Sequence, residues 1–378
     1  MKGLLQRSLI LAVFLLCLTS PSMAYKYKDL FEGKSPKAGE ALKKIVLDPE
    51  LEKRILALDP ENISASDVEN TLMKAPAPQI LGIHGGIYPV YLCMISFGEF
   101  LIRMGYPERS VLQPGNGYFS YSCYFDAKPM VGAIAWHYER DAMRPMMIGH
   151  SQGGIQTPKV LHELAGHFSK SVPVWSPLTS RTEKRDTILD PFTGETRPVI
   201  GLSASYASAV GAGGLTRLLP NQWVMNAGLR IVPDSVADFT GFALEGDFLG
   251  GDLMGVSGSN RYTAQKKAEV HNVLLGFGTD HVTVPNTKHL ALNPETRKWL
   301  NEFHPSKNPN PPHLKGPTAN LMWAANVWYS IKKHWCLELQ NLVRHKQKDG
   351  PVEIVVPPAP PRIRRHLLGR SWTARLAS

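Results

Sequence analysis

The chain has 378 residues, of which 43% are hydrophobic and 20% charged, with a formal net charge of +10. That length buries a large core as one domain with insertions or as two domains, and the composition suits a soluble globular protein. Beyond the amino terminus no run is long and apolar enough to span a bilayer, and the basic residues of the central region are scattered without an aromatic-basic motif, which argues against a nucleic-acid partner.

Residues 1–24 read differently from the rest. Lys2 and Arg7 precede an apolar run from Leu9 to Leu18, and Ser22-Met23-Ala24 is a small-x-small cleavage signal. The run is too short to span, so this is expected to be a secretory signal peptide cut after Ala24, with export to the periplasm or beyond. Cys17 follows Leu16, where a lipoprotein signal needs a small residue. Cleavage removes one of four cysteines and the charges of Lys2 and Arg7, which takes +10 to +8. Cys93, Cys123 and Cys336 then allow at most one intrachain disulfide, for which Cys93–Cys123 is conceivable.

Residues 25–75 form an expected amino-terminal helical arm. Ile45-Val46-Leu47, Leu51, Ile55 and Leu56 recur near helical spacing, Pro60 and Pro76 punctuate the stretch, and nothing in it carries chemistry. Ile80-Leu81-Gly82-Ile83 reads as a short buried strand and leads at once into His84-Gly85-Gly86. Phe97 to Met104 and Met130 to Met143 read as helices, with a turn at Pro114-Gly115-Asn116-Gly117 between them.

A buried strand, Met143 to Ile148, then runs into Gly149-His150-Ser151-Gln152-Gly153, which matches G-x-S-x-G, and a helix from Ile155 to Leu164 follows. The pattern is that of a nucleophile elbow. A sharp strand-to-helix turn holds the serine in a strained backbone, glycines leave room at the flanking positions, and the helix terminus behind favours developing negative charge. His150, beside the serine, is expected to pack under the elbow or line the pocket rather than act as base.

With the H-G-G loop about 65 residues upstream, this arrangement resembles the lipase and esterase branch of the α/β-hydrolase family over roughly residues 76–304. The resemblance implies a mostly parallel sheet flanked by helices, with a cap or lid insertion, and ester hydrolysis by a serine, histidine and acid triad. It implies backbone N–H donors for an oxyanion at Gln152 and at Gly86 or Ile87, reached through the small residues of the loop. It needs no metal or organic cofactor.

Residues 162–167, His-Glu-Leu-Ala-Gly-His, have one residue too many for the zinc motif H-E-x-x-H. On a regular helix, positions five apart lie about 140° around the axis, so His162 and His167 do not share a face. Val172 to Ser176 reads as a strand. Residues 177–239 break the repeat with a charged stretch, a run of small residues from Gly201 to Gly214 and an apolar segment through Trp223 to Met225. A cap insertion is expected here, its apolar character pointing to a lipid-like or bulky acyl substrate.

In the family resembled, the acid follows a late strand and the histidine follows the next one. Phe239 to Glu245 reads as the first of these, ending at Gly246-Asp247; Tyr262 to Val270 reads as a helix, and Asn272 to Phe277 as the next strand, followed by Asp280-His281. This nominates Asp247 and His281. His289, a few residues before the helix start Asn293-Pro294, is the rival base, and Asp252 and Asp280 are rival acids. An imidazole can take the serine proton and return it to the leaving group, while a carboxylate fixes its tautomer.

Residues 305–350 are expected to be a loop and a helix, Met322 to Val343, carrying Trp323, Trp328 and Trp335. Residues 351–378 are a Pro-rich linker and a tail with five arginines and no acid, able to touch anionic lipid and ordinarily disordered. The expected protein is an exported serine esterase or lipase acting on a small-molecule ester or lipid. An acyltransferase or peptidase with the same triad, or a non-catalytic binding protein on the same fold, stands as the alternative.

Overall fold

A computed structural model describes residues 45, 47–212, 228–250, 260–276, 280–307 and 320–349. Its frame is a six-stranded sheet of β1 (Ile80–His84), β2 (Tyr121–Ser122), β3 (Met146–His150), β4 (Ala204–Val210), β5 (Val236–Leu244) and β6 (Glu269–Leu275). Spatially the order is β2-β1-β3-β4-β5-β6, and every neighbouring pair is parallel. Parallel strands need crossovers that cover both faces, which explains why β3 and β4 are buried along their whole length.

Alternation sorts the side chains onto two cores. Ile80, Met146, Ile148, Tyr206, Val210, Phe242 and Leu244 face one, with the helices α1 (Pro49–Ala57), α3 (Tyr88–Arg103) and α8 (Leu321–Asp349). Leu81, Ile83, Met147, Ala207, Ala209 and Phe239 face the other, with α4 (Ala127–Asp141) and α5 (Gln152–Leu164). The remaining helices are α2 (Ala65–Asn70), α6 (Lys288–Leu292) and α7 (Pro294–Glu302). At α7 the Asn293 side chain accepts from the Thr296 N–H at 3.0 Å and Pro294 opens the helix, as the sequence predicts. The chain therefore has an α/β fold with a parallel central sheet flanked by helices.

Several expectations change. Residues 177–239 are not one insertion outside the sheet: the small-residue run supplies β4, between β3 and β5. Alanine and serine there let helices pack closely on both sides, a pattern that carries no hydrophobic alternation for sequence to detect. The preceding stretch makes two antiparallel ribbons, Trp175–Ser176 with Arg181–Thr182 and Thr187–Leu189 with Thr196–Pro198. Residues 213–227, where the apolar part of the expected cap falls, lie outside the described residues.

Tyr262 to Val270 is not a helix. Asp234 Oδ1 accepts from the N–H groups of Lys267 (2.7 Å) and Ala268 (3.3 Å), a side-chain bond that competes with helix formation, and β6 starts at Glu269. Cys93, Cys123 and Cys336 are thiols, and no disulfide joins Cys93 to Cys123. The signal peptide, residues 25–44 and the tail 351–378 lie outside the described residues.

The helix α8 is not peripheral. Trp323, Trp328 and Trp335 are fully buried in the core shared with the sheet. Trp335 Nε1 donates to the Pro76 carbonyl at 2.8 Å and Trp328 Nε1 to Asn301 Oδ1 at 2.8 Å. Buried Glu338 accepts from the Arg144 backbone N–H at 2.7 Å and from its guanidinium at 2.6 and 2.9 Å, tying α8 to the entry of β3. Among the described residues no helix is long and apolar enough to cross a membrane.

Candidate active site

The strand order fixes where a site can form. From β1 the chain passes to β2 on one side, then crosses to β3 on the other, so the order reverses between β1 and β3. The crevice beyond the carboxyl ends of such a strand pair is where ligands bind in open α/β sheets. Here those ends carry His84-Gly85-Gly86 and His150-Ser151-Gln152.

Ser151 has φ 57° and ψ −126°, a backbone conformation that costs a non-glycine residue of order 1–3 kcal/mol and must be enforced by its surroundings. Enforcement is visible. The Ser151 N–H donates to the Val210 carbonyl at 2.8 Å, and its carbonyl accepts from Gly154 at 2.9 Å. Gly153 passes so close to β1 that a Cβ on it would lie 2.2 Å from the Ile83 carbonyl oxygen, and one on Gly149 would lie 2.5 Å from the Gly153 carbonyl oxygen. The glycines of the motif are there for close approach.

The serine hydroxyl meets a histidine. His281 Nε2 lies 2.8 Å from Ser151 Oγ, and His281 Nδ1 lies 2.6 Å from Asp247 Oδ2. Asp247 follows β5 and is itself held, its Oδ1 accepting from the Gly250 N–H at 2.8 Å. Both His281 and Asp247 are buried while Ser151 is partly exposed, so the hydroxyl faces solvent and the carboxylate does not. The carboxylate on Nδ1 leaves Nε2 of the neutral ring as the nitrogen that accepts from the serine.

The other nominees fall elsewhere. His289 is an exposed residue of α6. Asp280 Oδ1 accepts from the N–H groups of Val282 and Thr283 at 2.9 and 3.0 Å and so shapes the turn around His281. Asp252 lies outside the described residues. The loop after β1 lies over the elbow: a Cβ on Gly85 would sit 2.7 Å from Ser151 Cβ, and one on Gly86 2.6 Å from Gln152 Oε1. Gln152 is the first residue of α5 and Ile87 the N-cap of α3, so two helix amino termini, with their positive dipole ends, lie near Ser151. His84 is a brace, its Nδ1 2.9 Å from Ser120 Oγ and its ring edge-on to Tyr91; burial pushes its pKa down to about 4.

Two further residues support the pair: His150, which packs beneath the turn as the sequence suggested, and Gly211, which the sequence did not single out. His150 is fully buried and its Nε2 donates to the carbonyl of His281 at 2.6 Å, bracing the backbone of the histidine that faces Ser151. Desolvation, then the neighbouring His281, pushes the His150 pKa down to about 3. Gly211, at φ 57°, forms the wall behind the pair, where a Cβ would lie 3.0 Å from His281 Nδ1. Its signal was present in the small-residue run but pointed to no particular position.

The pair His162 and His167 also departs from expectation. The helix ends at Leu164 and Gly166 turns the chain at φ 79°, which brings the two Nδ1 atoms to 2.7 Å, with His162 Nε2 donating to the Gly228 carbonyl. The argument from a regular helix fails because the helix stops between them.

No protein-family model matches the chain, and no curated protein matches its sequence. What the site can do therefore follows from its own geometry.

Proposed function

We propose that the protein is a serine-dependent carboxylic-ester hydrolase of the α/β-hydrolase kind. The observation that carries this is the unbroken chain from Ser151 Oγ through His281 to Asp247, at 2.8 and 2.6 Å, on a serine held at positive φ. Bond lengths in this range let a proton pass along the first link, and the second fixes the tautomer that makes the first possible.

His281 takes the Ser151 proton as Oγ attacks the ester carbonyl. The oxyanion forms between the N–H of Gln152 and that of Gly86 or Ile87, where two helix termini already favour negative charge. Collapse expels the alcohol, protonated by His281, and leaves an acyl-serine. Water activated by the same imidazole releases the acid. Asp247 stays ionised and stabilises the imidazolium. Tyr88, Leu92, Tyr124, Phe248 and Leu249, large and exposed on loops and helix starts that follow the carboxyl ends of β1, β2 and β5, favour an apolar acyl or alcohol group. Export through residues 1–24 belongs to the same proposal.

The test is labelling of the purified protein by a fluorophosphonate, with Ser151→Ala beside it. Labelling confined to the wild type, followed by turnover of p-nitrophenyl esters, is the expected result. A wild type that stays unlabelled with and without detergent would sink the reading in favour of a binding protein.

A further inference from the structure

At the opposite edge of the sheet, a second cluster has no part in the chemistry above. Asp238 lies directly across the β5–β6 ladder from Glu269, and His271, two residues along β6, is on the same face. The donor atoms of Asp238, Glu269 and His271 all lie within 4.8 Å of one another. Asp238 and Glu269 border a cavity of about 470 Å³ at the amino-terminal ends of β4, β5 and β6, lined also by Glu61, Lys333 and His334.

Asp238 marks this as more than a group of acids. Its side chain is 4% exposed, and its two oxygens are treated differently. Oδ2 accepts from His334 Nε2 at 3.2 Å, and the His334 ring is stacked on Tyr206, so the carboxylate is oriented from behind. Oδ1 is buried without a hydrogen-bond partner, and the nearest imidazole nitrogen, His271 Nε2, stands 3.7 Å away, too far for a hydrogen bond. A buried carboxylate oxygen left in that state is costly unless a ligand completes it. Two donors about 2.0–2.1 Å from a tetrahedral zinc ion are roughly 3.3 Å apart, which a small movement of the exposed His271 would satisfy.

Charge agrees. Lys333 Nζ reaches Glu61 Oε1 at 2.8 Å, Glu269 Oε2 at 3.7 Å and Asp238 Oδ2 at 3.9 Å. Three carboxylates against one ammonium leave an excess of two negative charges when the imidazoles are neutral, which matches a divalent cation. Nearby Arg144 is already paired with Glu338.

We infer that Asp238, Glu269 and His271 bind a zinc-type divalent ion, with water as the fourth ligand, fastening the edge strand β6 to β5. One imidazole with two carboxylates suits zinc better than calcium or magnesium, which prefer all-oxygen sites. His334 is the residue that orients the Asp238 ligand from the second layer.

The experiment is calorimetric titration of zinc chloride into the full chain after chelator treatment and dialysis, with thermal unfolding in parallel. About one equivalent should bind with micromolar or tighter affinity, and the melting temperature should rise with zinc. His271→Ala, a change at an exposed side chain, should weaken uptake by about 100-fold or more and abolish the thermal shift. His167→Ala should bind as the wild type does. No uptake by the wild type at about 100 μM zinc, a Kd equivalent to only ~5.5 kcal/mol, would overturn the inference. Undiminished binding by His271→Ala, or binding lost in His167→Ala instead, would overturn it too.

Discussion

At Ser151 the hydroxyl, the imidazole of His281 and the carboxylate of Asp247 come from three places 34 to 130 residues apart. On the proposed chemistry, their substitutions separate cleanly. His281→Ala should lower ester turnover by several orders of magnitude and Asp247→Asn by about 10⁴, whereas His289→Ala should stay within a few-fold of wild type. Steady-state kinetics on one p-nitrophenyl ester decides it, and a large loss in His289→Ala would reassign the base. The buried imidazoles also predict a pH dependence of stability. His150 is pushed to about 3 and His84 to about 4, both below the unperturbed value of about 6.5. Between those limits the unfolded chain binds protons that the folded chain does not, so stability rises with pH through that window. It is fully present above about pH 6.5 and lost as pH falls toward 4 and then 3. Urea midpoints from pH 4 to 7.5 should fall steeply on the acid side for the wild type and less so for His150→Gln; identical slopes would show that His150 titrates alike in both states.

At the scale of the element, the elbow depends on β1, β3, β4 and α5 approaching within backbone contact. Gly153 lies against the Ile83 carbonyl with no room for a methyl group. Backbone on both sides cannot yield as a side chain could, so Gly153→Ala should cost about 1–3 kcal/mol or more of stability. The urea midpoint should fall, and fluorophosphonate labelling should fall with it because the displaced turn carries Ser151. Unchanged stability would mean that α5 can slide on the sheet. The same principle explains β4, whose Ala and Ser side chains trade hydrophobic area for close helix packing on both faces.

At the scale of the molecule, the two ends of the described chain meet over the sheet. Gln340 Nε2 on α8 donates to the carbonyls of Ile55 and Leu58 at 3.1 and 2.9 Å, beside α1. Buried Lys332 donates to the Ile63 and Asn301 carbonyls. With three tryptophans of α8 inside the same core, a chain ended at residue 304 should fail to fold. Loss of each such tryptophan contact alone is a change of about 3–5 kcal/mol, against total stabilities of about 5–15 kcal/mol. Circular dichroism and size-exclusion chromatography of the shortened chain check this; a monomeric, cooperatively melting product would show that α8 is an appendage after all.

Sequence alone determined the features that are local. The strand, tight turn and helix around Ser151 were readable because G-x-S-x-G between an apolar strand and a helix is a continuous stretch with its own steric logic. The Asn293-Pro294 helix start and the strand before His84-Gly85-Gly86 were readable for the same reason. Which histidine and which acid stand beside Ser151 is a different kind of question. Asp247, Asp252, Asp280, His281 and His289 are close in sequence, and a few residues of chain can swing any of them by more than a hydrogen-bond length. Only the placement of β5 and β6 in the sheet decides which side chains arrive there. Tertiary structure also decided that the small-residue run is a central strand, that α8 is core, and that Asp238, Glu269 and His271 come together, because burial on two sides and pairing across a ladder are properties of neighbours that no single stretch contains.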